Sequence, residues 1–215
     1  MDESPAEVFA YYPHNVSNAD GTLVQVESNT QTDYLYGKAA TAASISKKNV
    51  NIEMKHALSQ VVFKLRKGAT YDEGPGLLES LKIENNDDKN VFQTSGTLNL
   101  GSGQVTGTST NGVLTLMPGS TLLLTEEYQS ISSICLPVSA TAGKNIKALF
   151  TIDGRAFRYE FPASTTWRAG MRNIYTLTIS NSGLEIGGGE GSYSGITIEP
   201  WEASTDNDIS LVPIL

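Results

Sequence analysis

Between Lys144 and Ile179 the chain reads KNIKALFTIDGRAFRYEFPASTTWRAGMRNIYTLTI, and no other stretch limits the fold as much. Ile146, Ala148, Phe150 and Ile152 alternate on one face of a strand. Asp153-Gly154 follows, a two-residue hairpin signal, because a type I′ turn needs φ > 0 at both positions. Phe157, Tyr159 and Phe161 alternate on the return, and Pro162 stops that strand by removing a ladder donor. A loop with Trp167 and Gly170 leads to a third alternation, Tyr175, Leu177 and Ile179. Each such side chain contributes roughly 1.5–3 kcal/mol when buried. Three strands in a row with one apolar face each predict the core of an antiparallel β-sandwich.

The rest of the chain is consistent with that fold class. Residues 7–12 form an apolar run ended by Pro13, and Asp20-Gly21 turns into Leu23–Val26. Further short strands are predicted at 77–83, 92–100, 113–117, 122–124, 134–138 and 196–198, with turn signals at sandwich-like spacing. Residues 101–112 read as a polar loop or edge hairpin, and 187–191 as a glycine-rich linker. Residues 38–48 carry little apolar pattern and mark a candidate boundary.

Val50–Lys67 supports two readings. Met54, Ala57, Leu58, Val61, Val62 and Leu65 fall at helical spacing. The strand reading puts Val50, Ile52, Met54 and His56 inward, then Val61, Phe63 and Leu65. It needs a change of parity around Ala57–Gln60. Val-Asn-Ile, Val-Val-Phe and the β surroundings favour the strand.

Composition narrows the function. A chain of 215 residues forms one large β-domain or two small ones. With 20 glycines and only 18% charged residues it suits a turn-rich β protein. A net charge of −8 argues against nucleic acid and anionic lipid, which need a basic face. Cys135 is the single cysteine, so an internal disulfide is excluded, and Ile134-Cys135-Leu136 reads as a small buried hydrophobe in a strand.

Motifs for chemistry are lacking. His14 and His56 have no partner at metal-ligand spacing. Gly191-Ser192-Tyr193-Ser194-Gly195 has Tyr where a nucleophile elbow needs Ser, and Gly187–Gly191 has no Gly-Lys-Ser/Thr for phosphate. The acidic loops 85–88 and 206–208 lack calcium-loop spacing. The sequence therefore predicts no catalytic residue, no metal and no cofactor, and no enzyme. Tyr11, Tyr12, Tyr34, Tyr36 and Trp201 are aromatics available to stack on a sugar, with Tyr34, Tyr36 and Trp201 the chosen candidates, although aromatics in strands commonly serve the core.

Five segments stand in this order: Phe9-Ala10-Tyr11-Tyr12-Pro13, Asp33-Tyr34-Leu35-Tyr36-Gly37, Met54-Lys55-His56-Ala57-Leu58-Ser59, Trp167…Gly170…Tyr175–Ile179 and Ile196-Thr197-Ile198-Glu199-Pro200-Trp201. Together they resemble the fimbrillin-like proteins of Bacteroidales, the type V pilin superfamily. The resemblance implies transthyretin-like β-sandwich domains, export as a lipoprotein and a place at the cell surface or outer membrane. It implies a fimbrial subunit, anchor or associated adhesin. It also implies assembly by strand exchange, in which a protease removes a strand from one subunit and a neighbour's strand takes its place. The physics is strand addition, with main-chain hydrogen bonds for affinity and side-chain pockets for register.

The chain shows no signal peptide or lipidated Cys. Against the family pattern, residues 1–45 read as the remnant of an N-terminal β-sandwich domain and 46–215 as a C-terminal one, in a truncated or processed chain. In the tail, Ile209, Leu211, Pro213 and Leu215 alternate after a polar spacer. They are either a donor strand for a neighbour or the strand closing this chain's own edge. Expected partners are other fimbrial subunits and a host or bacterial surface glycan or protein. An extracellular glycan-binding β-sandwich module is the alternative function.

Overall fold

The alternation in the central stretch becomes a hairpin in the computed structural model. It describes residues 4–14, 21–44, 46–86, 89–110, 112–117, 119–139, 145–162, 164–186 and 195–201. In chain order the strands are β1 (Phe9–Tyr12), β2 (Leu23–Glu27), β3 (Leu35–Lys38), β4 (Lys55–His56), β5 (Ser59–Lys67), β6 (Leu77–Asn85), β7 (Ser95–Asn99) and β8 (Val105–Gly107). They continue with β9 (Val113–Thr115), β10 (Leu122–Leu123), β11 (Gln129–Cys135), β12 (Ile146–Ile152), β13 (Arg155–Glu160), β14 (Met171–Ser180), β15 (Gly183–Ile186) and β16 (Ile196–Pro200). Every element among the described residues is β, and most pairings are antiparallel.

β12 and β13 pair from Lys147↔Glu160 to Ile152↔Arg155. Their turn places Asp153 at φ 51° and Gly154 at φ 72°, as a type I′ turn requires. The Asp153 carboxylate accepts hydrogen bonds from Gly76 N–H, Leu77 N–H and Tyr71 O–H, each at 2.8 Å. These tie the turn to the start of β6. Burial alone raises a carboxyl pKa, but the three donors and nearby Lys67 together hold Asp153 below its usual value. Burial, then the bond to Asp153, raise the Tyr71 phenol to about 12.

The third strand of the central stretch departs from the sequence expectation. β14 does not extend the hairpin sheet. It crosses to a second sheet and runs parallel to β5, from Arg172↔Gln60 to Ile179↔Lys67. Periodicity fixes which face is buried but not which strand lies alongside, so the parallel neighbour was hidden. One sheet therefore runs β10-β6-β12-β13 with β9 also on β6, and the other runs β11-β5-β14-β15 with β16 also on β14.

These two sheets fill one core. Phe63 of β5 meets Phe150 of β12 edge to face at 5.5 Å, and Tyr175 of β14 at 5.7 Å. Phe161 stands edge-on to Trp167, Tyr175 and Tyr159 at 5.0–5.1 Å, geometries that aromatic quadrupoles favour. Trp167 Nε1–H donates to Tyr175 Oη at 2.8 Å, which satisfies both buried polar ends. Cys135 is fully buried in this core, and burial pushes its thiol pKa up. Ser59 and Asn173 hydrogen-bond across the parallel pair at 2.9 Å.

A second, smaller core lies between the three-stranded sheets β1-β3-β4 and β2-β7-β8. Val24, Val26, Ala57, Leu58, Leu98, Leu100 and Leu136 form it, with Phe9, Tyr11, Tyr34 and Tyr36 packed on it. Pairings β3–β4 and β2–β7 both join residues on either side of position 45.

The strand reading of Val50–Lys67 holds for Lys55–His56 and Ser59–Lys67, whereas residues 50–54 are not in a strand. The parity change falls at Ala57-Leu58, where the chain leaves β4 in one sheet and enters β5 in another. Val61, Phe63 and Leu65 are buried as expected. Met54 is not inward: it is 38% exposed, because β4 is only two residues long and pairs only with β3.

Candidate functional site

A strand at the edge of a sheet presents unpaired N–H and C=O groups, and proteins commonly guard such edges. Three longer edges border the large core, and they differ. Along β13 the exposed side chains include Arg155, Arg158 and Glu160. Arg155 pairs with Glu73, and Arg158 with Glu160 at 2.5 Å. Charge on that edge discourages a further strand.

The β11 edge is guarded by one side chain. Gln31 Oε1 accepts from Ile134 N–H at 2.8 Å, and Gln31 Nε2 donates to Ile134 C=O at 3.1 Å. The primary amide thus takes the two main-chain bonds that a neighbouring strand residue would take. Gln31 holds φ 53°, in the left-handed region.

Among the described residues no side chain caps the outward main-chain groups of Ile196 and Ile198, and Pro200 withholds a donor only at the strand end. β16 pairs antiparallel with the first half of β14, from Met171↔Pro200 to Tyr175↔Ile196. β15 covers the second half. Thr176 N–H donates to Gly195 C=O and Trp201 N–H to Gly170 C=O, both at 2.7 Å. Antiparallel alternation then turns the main-chain groups of residues 195, 197, 199 and 201 toward β14 and those of Ile196, Ile198 and Pro200 away. Pro200 has no N–H to leave unpaired there, which explains its place on an edge strand.

The side chains beside this edge form a groove of about 320 Å³. Its apolar walls are Pro162, Met171, Tyr175, Ile196 and Ile198, with Thr165 and Arg168 adding polar atoms. Ile198 is 56% exposed. On the opposite face Glu199 lies 3.2 Å from Arg172. Burial pushes the Tyr175 phenol pKa up, and it stays neutral as the acceptor for Trp167.

Of the aromatics singled out in the sequence, Tyr34 and Tyr36 share the face that packs on the small core. Trp201 lies elsewhere. It stacks on His56 with ring centroids 4.2 Å apart and planes 10° from parallel. His56 is opposite Leu35, so its side chain leaves the sheet on the face opposite Tyr34 and Tyr36. The structure therefore separates Trp201 from the two tyrosines. His56 Nδ1 also lies 2.9 Å from Asp33 Oδ1, which gives this histidine a partner on each side. The tail residues Ile209, Leu211, Pro213 and Leu215 and the linker 187–191 lie outside the described residues, as do Asp87, Asp88 and 206–208.

Sequence reasoning placed Ile196–Ile198 in a strand but missed its extension to Pro200 and the groove. Residues 162–168, which supply half of it, showed only a proline stop and a loop. Pro200 was the available signal for an edge.

Comparison with known proteins gives a consistent set of relatives. A family model described as "Fimbrillin-like" matches residues 1–201. A Bacteroides uniformis protein named "Putative fimbrium subunit Fim1C" is 28% identical over 200 residues, covering 86% of this chain and 61% of its own length. The chain thus spans less than two-thirds of that relative. The crystal structure of a "putative cell adhesion protein" from Bacteroides uniformis is 25% identical, with a TM-score of 0.68 over 91% of this chain and 73% of the other. A fimbrial protein from Bacteroides vulgatus shares the fold with a TM-score of 0.57 at 12% identity, over 90% of this chain and 77% of the other.

Proposed function

The chain belongs to the fimbrillin-like family, and from that membership we propose that it is a structural subunit of a cell-surface fimbria or a fimbria-associated adhesin, joined to its neighbours by strand addition at the β16 edge. The observation that carries the reading is the contrast among edges. β11 carries an amide clamp at Ile134 and β13 carries charge, whereas β16 exposes main-chain groups beside an apolar groove. An incoming strand gains main-chain hydrogen bonds from Ile196 and Ile198 and seats alternate apolar side chains against Met171 and Tyr175.

Ile209, Leu211, Pro213 and Leu215 of a second copy supply such an alternation. The partner is then another fimbrial subunit. In the same reading the two five-stranded sheets are a transthyretin-like sandwich, the C-terminal domain. Residues 1–45 belong to an N-terminal unit completed by β4, β7 and β8. The protein is exported as a lipoprotein to the outer membrane and is extracellular in its mature form.

Immuno-electron microscopy of native cells tests this. Labelled filaments are expected, and label confined to the cytoplasm overturns the reading. Deleting residues 203–215 separates the two roles of the tail. A folded but non-assembling protein makes it a neighbour's strand. An unfolded one makes it the chain's own edge.

A further inference from the structure

At the mouth of the small core a second cavity of about 530 Å³ opens between β3–β4 and the turn that joins β7 to β8. It falls within the ~300–1,000 Å³ of small-molecule sites. Tyr36 lines it, with Lys38, Asn51, Glu53, Lys55 and Ser102 around it. Tyr36 sits directly between Tyr11 and Lys55 in the sheet register, so its ring and the Lys55 stem leave the same face. A side chain at Gly37 would collide with the Glu53 carbonyl and Ile52, so glycine there lets residues 51–55 lie close and form the wall.

The polar groups of this cavity are uncommitted. Lys38 is held by Glu7 at 2.5 Å, so its charge is compensated. Asn51, Glu53, Lys55 and the Tyr36 hydroxyl have no hydrogen-bond partner among the described residues, and Ser102 Oγ accepts only the Gln104 N–H. One free carboxylate and one free ammonium leave the site without net charge. An anionic ligand meets Glu53, and a cationic one meets Lys55. A neutral molecule with many hydroxyls meets acceptors and donors together, and the aromatic wall offers apolar contact for its C–H groups.

We propose that this cavity is a binding site for a neutral saccharide, with the part of Tyr36 that lines it as the apolar wall and Asn51, Glu53 and Lys55 as the hydroxyl-reading groups. The site is separate from the β16 edge and does not depend on strand addition.

Saturation-transfer difference NMR on the full chain tests it. The probes are methyl glycosides of glucose, galactose, mannose, N-acetylglucosamine and N-acetylgalactosamine, with N-acetylneuraminic acid as the charged comparator. At least one neutral glycoside is expected to bind at millimolar concentration, about tenfold weaker for Tyr36→Ala and for Glu53→Gln. Tyr36→Phe keeps the ring and retains binding. Glu53→Gln is exposed and isosteric, so it decides the matter if Tyr36→Ala fails to fold. Absence of binding by every neutral glycoside, binding by the acidic sugar alone, or binding unchanged in Glu53→Gln overturns the proposal. Ile198→Lys serves as the cross-control: it is expected to lose assembly and keep the saccharide.

Discussion

The β13 and β16 edges border the same core and have opposite surfaces. β13 turns Arg155, Arg158 and Glu160 to solvent, whereas β16 turns out Ile198 above an apolar groove. Underneath, both rest on one aromatic cluster: Phe161 follows β13, Tyr175 lies beneath β16, and their rings meet at 5.0 Å. Stability is therefore shared between the edges, while their capacity to accept a strand is not. What distinguishes them is a handful of outward side chains that contribute little to holding the fold. Reactivity and stability are thus separable in this molecule, and substitutions can test each alone.

The largest effect is expected at the shared cluster. Phe161→Ala removes a fully buried ring and costs about 3–5 kcal/mol in urea unfolding. The transition stays single if the two edges share one core. Two transitions, with one sheet melting first, would break the comparison.

Asp153→Asn comes next, since it loosens one end of the β13 hairpin. Exchanging the carboxylate for an amide leaves Gly76 N–H and Leu77 N–H poorly paired, at about 1–3 kcal/mol. The folded carboxyl pKa is lowered, so its contribution is present above the unfolded value near ~3.9 and is lost as pH falls through the lower folded value. The urea midpoints of wild type and variant should differ at pH 6 and converge toward pH 3. A constant gap across that range would mean that the carboxylate charge is not what matters.

Gln31→Gly sharpens the comparison by removing a guard. Glycine tolerates the left-handed φ, so the change reports the lost amide clamp rather than new strain. Stability should fall by about 1 kcal/mol, and hydrogen exchange at Ile134 N–H should accelerate.

The smallest stability effects and the most divergent behaviour are expected from a pair of exposed changes. Ile198→Lys and Arg158→Ile each shift unfolding by about 0.5 kcal/mol or less. Filament formation should disappear in the first and persist in the second. If Ile198→Lys assembles normally, strand addition does not occur at β16.

Local rules were readable in the sequence where a residue has one conformational use. Asp153-Gly154 marked its turn because few residues take φ > 0, and the alternation in β12 and β13 marked their buried face. The parity break before β5 was legible because Ala57 and Leu58 cannot both follow a period of two. The parallel β5–β14 neighbours were not legible, since both strands carry the same alternation and nothing in either specifies the other. The Gln31 clamp was invisible for a related reason: its partner, Ile134, is 103 residues away. Of the candidate site, Ile196–Ile198 was visible as a strand, but the groove needs residues 162–168 brought beside it by tertiary packing.

The parallel β5–β14 pair also sets a schedule. Ser59 and Asn173, joined across it, are 114 residues apart in the chain. Closing so long a loop costs entropy before any contact repays it, and topologies dominated by such pairings fold slowly. β11 lies nearer to β5 in the chain than β14 does, so a β5 paired with β11 alone keeps one flank bare. A bare strand flank can pair with a wrong strand until β14 closes it.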